Sequence, residues 1–363
     1  MKEKIKNIIS EFGISRWIIV GFIFVLFCLG PVSGNKISTL TTNVVNRFAW
    51  NCILVLSMVP MIHSGCGLNF GLPLGIEAGL FGVTSAIELG FTGNEVFFAA
   101  LAIATPVAII FGSLYGFLLN KIKGGEMMIA TYVGFSAVSL MCICWTMLPY
   151  SNPIIVWGYT GKGLRTMISI ENFFYEVLSS FLRFNIFGVT IPTGTILFFA
   201  ILAFGIWAFL HTKTGTAMTA VGSNPSFAKA AGINVDKIRL ISVILSTWLA
   251  AIGIINYEQG FGYVQLYTAP YSMAMPAVAA ILLGGASVNK ASISNVIIGT
   301  ILYQAIVTTT PNVINSLIAL DISDVLRTVI SNGVILFALT RNNAERKHLT
   351  RNNAERRNKW RRY

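Results

Sequence analysis

The chain has 363 residues, of which 55% are hydrophobic and only 11% charged, with a mean hydropathy of +0.71. Soluble domains carry about 25% charged residues, so the composition excludes a soluble globular protein and identifies a polytopic membrane protein, organised by its spans. The net charge of +12 does not indicate a nucleic-acid partner, because Lys and Arg concentrate in the segments expected in the cytoplasm, as the positive-inside rule requires.

The N-terminal segment, residues 1–15, is basic and precedes an apolar run with no small-residue cleavage site, so the run reads as a retained anchor and not a removed signal. Ten spans are predicted, at roughly 16–31, 44–63, 67–90, 96–119, 126–149, 191–210, 240–257, 273–288, 293–310 and 323–340. Several fall short of the ~20 residues that a straight span needs, which predicts broken or re-entrant helices. An even number of spans puts both termini on one side. With that side taken as the cytoplasm, only Lys36, Arg47, Lys162, Arg165, Arg183 and Arg327 of the 26 basic residues fall elsewhere. The transmembrane region is therefore 16–340, with a cytoplasmic loop at 211–239, a long outer loop at 150–190 and a basic cytoplasmic tail at 341–363. The five cysteines, Cys28, Cys52, Cys66, Cys142 and Cys144, lie in or beside apolar runs without metal-ligand spacing, and read as buried small hydrophobes. His63 and His211, at the cytoplasmic ends of spans, read as capping or snorkelling groups.

The third span carries GCGLNFGLPLGIEAGLFG, residues 65–82. Gly67, Gly71, Gly75 and Gly79 recur every four residues, which on a helix makes a smooth ridge for close helix packing. Positions two residues on lie about 200° round the helix, and there Asn69, Pro73 and Glu77 place an amide, a helix breaker and a carboxylate. A carboxylate at bilayer depth costs about 2.5–3.5 kcal/mol on insertion scales. Glu77 is thus expected either to line a pathway or to pair with a neighbouring helix.

The outer loop contains ENFFYEVLSSFLRF, residues 171–184, an expected interfacial amphipathic helix whose aromatics suit the membrane–water boundary, with a lid or docking surface as the alternative. In the cytoplasmic loop, AVGSNPSFAKAAGINVD, residues 220–236, is a polar island. Asn224 is a cap for free N–H groups, Pro225 suits the first helical position, and Gly232 suits a left-handed stop. The enclosed helix of about two turns is too short to be stable alone. Phe227, Ala230 and Ala231 share one of its faces, which suits a knob pressed into another protein; an ordinary loop helix is the plain alternative. At the end of the seventh span and just beyond it, Asn256, Tyr257, Glu258 and Gln259 form a polar–aromatic patch expected near the outer mouth, where rings stack and amides exchange hydrogen bonds with a solute, or where they form an interfacial belt. The tail repeats LTRNNAER at 339–346 and 349–356 and suits contact with anionic lipid.

No Walker A, HExxH or GxSxG motif occurs, and Gly161-Lys162-Gly163 lacks the leading Gly and the following Ser or Thr of a P-loop. The chain is accordingly expected not to be an enzyme and to hold no cofactor or metal; ATP, if used, binds to another chain.

Three blocks together resemble the permease family of bacterial ABC importers that serves branched-chain amino acids, simple sugars such as ribose, and nucleosides. They are GLNFGLPLGIEAGL at 67–80, TGTAMTAVGSNPSFAKAAGINVDKIRLISVILSTWLAAIGI at 214–254 and YSMAMPAVAAILLGGASV at 271–288. The resemblance implies an all-α, ten-helix fold of the vitamin B12 importer class (type II) in the bacterial inner membrane. It also implies a homo- or heterodimer of permeases, two cytoplasmic ABC ATPase subunits and an extracytoplasmic solute-binding protein. It makes the segment with Asn224, Pro225, Phe227, Ala228, Ala231 and Gly232 the coupling helix that sits in a groove of the ATPase. Two positions depart from the family pattern. Asn69 stands where sugar members carry an acidic residue, and Asn289-Lys290 follows Leu283-Gly284-Gly285 in place of a second Gly pair. The expected solute is a simple sugar or nucleoside, with a branched-chain amino acid, or a stand-alone secondary transporter or channel driven by an ion gradient, as the alternatives.

Overall fold

A computed structural model of the chain describes residues 14–122, 124–158, 163–288 and 290–318, and the isolated positions 325, 329, 332 and 333. Residues 1–13, almost all of the predicted tenth span and the repeated tail lie outside the described residues.

The fold is helical, in chain order α1 (Ile14–Val32), α2 (Ile37–Leu56), α3 (Met58–His63), α4 (Leu72–Glu88), α5 (Asn94–Lys121), α6 (Glu126–Met147), α7 (Thr193–Leu210), α8 (Lys213–Ser223), α9 (Pro225–Ala230), α10 (Val235–Phe261), α11 (Ala269–Leu283) and α12 (Ile293–Ile318). Among the described residues six helices are long and apolar enough to cross a membrane, counting α2 and α3 together; α1 and α11 are shorter apolar helices. The segment between α6 and α7 holds β1 (Ile168–Ser169), β2 (Phe184–Ile186) and β3 (Val189–Ile191), and β4 (Tyr263–Val264) follows α10. β2 pairs with β3 and β1 with β4, both antiparallel.

The long helix α10 is the axis of the bundle. Its start is capped by Asn234, whose side chain accepts from the Lys237 N–H at 3.0 Å, and its end is closed by Gly262 at φ +87°. At 27 residues and 1.5 Å per residue it is about 40 Å long, enough to cross a bilayer core. α2, α4 and α5 pack around it, and small residues set the distances. A Cβ on Gly75 would meet the Thr247 carbonyl oxygen at 2.5 Å, one on Gly79 the Ala251 carbonyl oxygen at 2.6 Å, and one on Gly112 the Ile244 Cα at 2.9 Å. Backbones this close gain dispersion contacts that lipid tails cannot supply. The outward faces of α5, α6 and α7 display Ile110, Phe117, Leu140, Met147, Ile201 and Phe204, which are exposed as a lipid-facing surface requires.

Three expectations are corrected. First, the third span is not one helix from 67 to 90. Residues 64–71 are irregular and α4 begins at Leu72, so Pro73 sits in its first turn, where no donor is lost, and does not break a helix. The break starts at Pro60, which has no N–H to offer the Leu56 carbonyl, and α2 gives way to α3 at Ser57. α3 then stops at Gly65 in a Schellman turn, with φ +73° and a Cys66 N–H to Met61 carbonyl bond of 3.1 Å. Second, 171–183 is a series of turns and not an amphipathic helix; Glu176 and Leu182 have φ of +54° and +53°, which no helix allows. Third, α10 continues to Phe261, so Asn256, Tyr257, Glu258 and Gln259 lie inside a helix and are buried.

Candidate functional site: a capped knob and a cavity at the far end of the bundle

The knob is α9. The Asn224 Oδ1 accepts the Phe227 N–H at 3.0 Å and Pro225 occupies the first turn. The stop is a Schellman turn in which Ile233 N–H bonds the Ala228 carbonyl at 3.0 Å, with Gly232 at φ +83°. The amino acids at both ends thus satisfy the backbone groups of a helix only six residues long. Phe227 is 67% exposed, and Ala230 and Ala231 are exposed beside it. Ala228 faces the other way. It is fully buried against Met218, Val221 and Ile238, so it anchors the knob to the chain and leaves outside contact to Phe227 and its neighbours.

A second helix, unforeseen in the sequence, joins the knob to the bundle. α8 starts at Thr212, whose hydroxyl accepts from the Gly215 N–H, and presses Gly222 against the irregular segment after α3. A Cβ on Gly222 would lie 2.1 Å from the His63 carbonyl oxygen and 3.0 Å from the Gly65 nitrogen. His63 Nε2 is 2.9 Å from the Ala291 carbonyl oxygen, before α12, and its Nδ1 is 3.4 Å from the Thr219 hydroxyl. Arg239, buried at the start of α10, donates to the Gly65 carbonyl at 3.2 Å and to Glu126 at 3.1 Å. Ser242 donates to the Ser64 hydroxyl at 2.6 Å. Segment 63–69 is therefore where α8, α10, α6 and the turn before α12 are tied to one stretch of backbone.

Asn69 completes this tie. It is buried, donates to the Ser246 hydroxyl at 2.8 Å and accepts from Tyr115 at 3.3 Å, and Ser246 in turn donates to the Ser57 carbonyl at 2.6 Å. Glu77 is fully buried on α4 with neither carboxyl oxygen hydrogen-bonded. Asn256 donates to the carbonyls of Ala49 and Trp50 at 3.1 Å each, which holds α10 to α2. Gln259 accepts the Leu178 N–H at 3.2 Å and ties down the segment between α6 and α7. Glu258 is 1% exposed with both oxygens unbonded.

At the end of the bundle opposite the knob, α2, α10, α11 and α12 part to form two adjoining cavities of 380 and 510 Å³. Each lies within the range of small-molecule sites, about 300–1,000 Å³. Arg47, Phe261, Gln304 and Val307 are on the walls of both. The Arg47 guanidinium carbon lies 5.6 Å from the centroid of the Trp50 ring and 5.9 Å from that of Phe261. Tyr257 stacks on Phe261 at 5.5 Å and meets Trp50 edge-on at 6.4 Å. Asn43, Asn46, Asn51 and Gln265 add amides, and among the described residues no carboxylate lines either cavity. Of the seven residues expected on the solute path, only Tyr257 is on these walls. The others, Asn69, Pro73, Glu77, Asn256, Glu258 and Gln259, lie within the helix packing. In the sequence Arg47 stands out only as an exception to the cytoplasmic placement of basic residues. A cation inside a predicted span is itself a pointer to a cavity.

Among the described residues no group of His, Cys, Asp and Glu is arranged to hold a metal. The sequence matches the family described as "Branched-chain amino acid transport system / permease component" over residues 40–339. The ribose import permease protein RbsC of Escherichia coli (strain K12) is 25% identical over 308 residues, covering 83% of this chain and 84% of that one. The nucleoside ABC transporter permease protein NupB of Lactococcus lactis subsp. cremoris (strain MG1363) is 26% identical over 234 residues, 62% of this chain and 61% of its own length. A solved chain of a metal-chelate type ABC transporter, in an inward-facing conformation, aligns at a TM-score of 0.48 and 14% identity over 89% of this chain and 99% of that one. The family match covers most of the chain, and this multi-pass membrane protein belongs to the branched-chain amino acid transport system permease family of ABC importers.

Proposed function

We propose that this permease moves a simple sugar or nucleoside across the bacterial inner membrane, driven by a separate ATPase that grips the knob at Phe227. The knob carries this reading: a capped six-residue helix that shows an aromatic side chain to the surroundings and buries Ala228 in its own chain. A stand-alone channel has no use for such a peg. The names of the relatives, a ribose permease and a nucleoside permease among them, support the solute class, as do the ring-and-amide walls of the cavities.

In mechanism, the knob and α8 move together, because Ala228 packs on Met218 and Val221 within α8. Gly222 passes that displacement to His63–Gly65 by direct backbone contact. Arg239 and Ser242 pass it to α10, and Asn69 carries it through Ser246 and Tyr115 to the middle of the bundle. α10 and the paired α2–α3 run from this tie to the cavities, so a tilt at one end changes the opening at the other. The working unit is a dimer of permeases with two ATPases and a solute-binding protein, on the type II ten-helix plan, with both termini in the cytoplasm. ATP is held by the partner chain.

The test is ATP-driven uptake of tritiated ribose and uridine by proteoliposomes containing the permease, its ATPase and its binding protein. Uptake of one of them that stops with vanadate and survives an uncoupler supports the reading. Uptake abolished only by the uncoupler overturns it in favour of a gradient-driven carrier.

A further inference from the structure

We infer that Arg47 is the charge selector of the outer cavities, and that they accept neutral or anionic ring solutes rich in oxygen acceptors while turning away cationic ones. This rests on the reading of the chain as an importer permease whose knob is cytoplasmic, since that orientation turns the cavities outward.

Three observations carry it. The guanidinium lies on the wall of both cavities and none of its donors is hydrogen-bonded or ion-paired to another described residue. It is held instead by the Trp50 and Phe261 rings at 5.6 and 5.9 Å. Cation–π contacts orient the side chain without using its N–H donors, so the five donors remain for a ligand. Finally, among the described residues the walls carry amides and rings but no carboxylate, so no described wall residue offsets the positive charge. A guanidinium fork offers parallel donors to two adjacent oxygens, the pattern of a vicinal diol, a carboxylate or a phosphate. An ammonium solute finds only like charge at close range.

The test reads local potential and needs no knowledge of the natural solute. Asn43 is half-buried on the cavity wall, one helical turn before Arg47, so the two side chains are about 5–6 Å apart. In a background with Cys28, Cys142 and Cys144 replaced by Ser, Asn43→Cys is labelled from outside with two thiosulfonate reagents of similar size, one carrying a sulfonate and one a trimethylammonium. The same background without Asn43→Cys gives the blank for the buried Cys52 and Cys66. Rates are divided by those of a free thiol in solution. One charge at this distance, even fully solvent-screened, favours the anionic over the cationic reagent about tenfold. The expected result is that ratio in the presence of Arg47, its retention in Arg47→Lys, and its fall to near one in Arg47→Gln. A ratio that Arg47→Gln leaves unchanged overturns the inference while leaving the importer reading intact. Tritiated ribose and uridine uptake is measured alongside. Uptake lowered at least about tenfold by Arg47→Gln and only partly restored by Arg47→Lys, which keeps the charge but loses the fork, agrees with a donor role; wild-type uptake in Arg47→Gln overturns it. Failure of the wild type to take up either solute contradicts the proposed function, and the labelling ratio still decides the charge claim.

Discussion

Gly222→Ala puts one methyl group into the contact through which the knob is joined to the bundle. Its Cβ would lie 2.1 Å from the His63 carbonyl oxygen, whereas an ordinary contact begins at 3.4 Å. Both obstacles, the His63 carbonyl and the Gly65 nitrogen, are backbone atoms and cannot rotate away. α8 and the irregular segment must therefore part by more than about 1 Å, at an expected cost of about 1–3 kcal/mol for overpacking. Because Phe227 is untouched, the ATPase should still attach, but its stroke should reach the bundle through a displaced contact. The assay is solute moved per ATP hydrolysed in proteoliposomes, with thermal unfolding in detergent as the measure of stability. Gly205→Ala is the control: it lies on the exposed face of α7, its Cβ would meet nothing within 4 Å, and the better helix propensity of Ala makes it neutral or slightly stabilising. We expect a lower transport-to-hydrolysis ratio and lower stability for Gly222→Ala alone. Wild-type stability and coupling in Gly222→Ala would refute the proposed mechanical route.

Phe227→Asp and Gly232→Pro should both insert normally yet lose the ATPase on co-purification. Phe227→Asp should change stability by no more than about 0.5 kcal/mol, because the ring is exposed; retention of the ATPase by both variants would contradict this. Arg239→Gln removes the buried guanidinium that Glu126, itself half-buried, and the Gly65 carbonyl share, and losing hydrogen bonds to a charged group costs about 1.5–3 kcal/mol. Its yield of folded protein should fall sharply, with partial recovery when Glu126→Gln is added. Asn69→Leu removes the bonds to Ser246 and Tyr115 and should cost about 1–3 kcal/mol by leaving buried partners unmet; unchanged thermal unfolding would make that network dispensable.

The knob was legible because its instructions are local. Asn224, Pro225 and Gly232 act on backbone groups within a few residues of themselves, so spacing alone specifies the helix and its ends. The break after His63 was misread for the opposite reason. Glycines four apart look like a helical ridge, but Gly67 is there for its φ of +82°, and only Gly75 and Gly79 act as a ridge, against α10. Asn256 and Gln259 looked like loop residues because they are polar. Inside the helix the Asn256 amide donates to α2 carbonyls and Gln259 bonds the loop before α7, partners that lie far away in the chain. The cavity was the least legible feature, since Arg47, Phe261 and Gln304 come from three helices and share no spacing.

The central claim is that Phe227 engages a motor on the cytoplasmic side. A photo-crosslinking amino acid at position 227, activated in membranes containing the whole complex, tests this most directly. The account predicts that the crosslinked product contains the ATPase subunit and disappears when that subunit is stripped from the inner face. A product containing only lipid, or the solute-binding protein on the outer face, would contradict it.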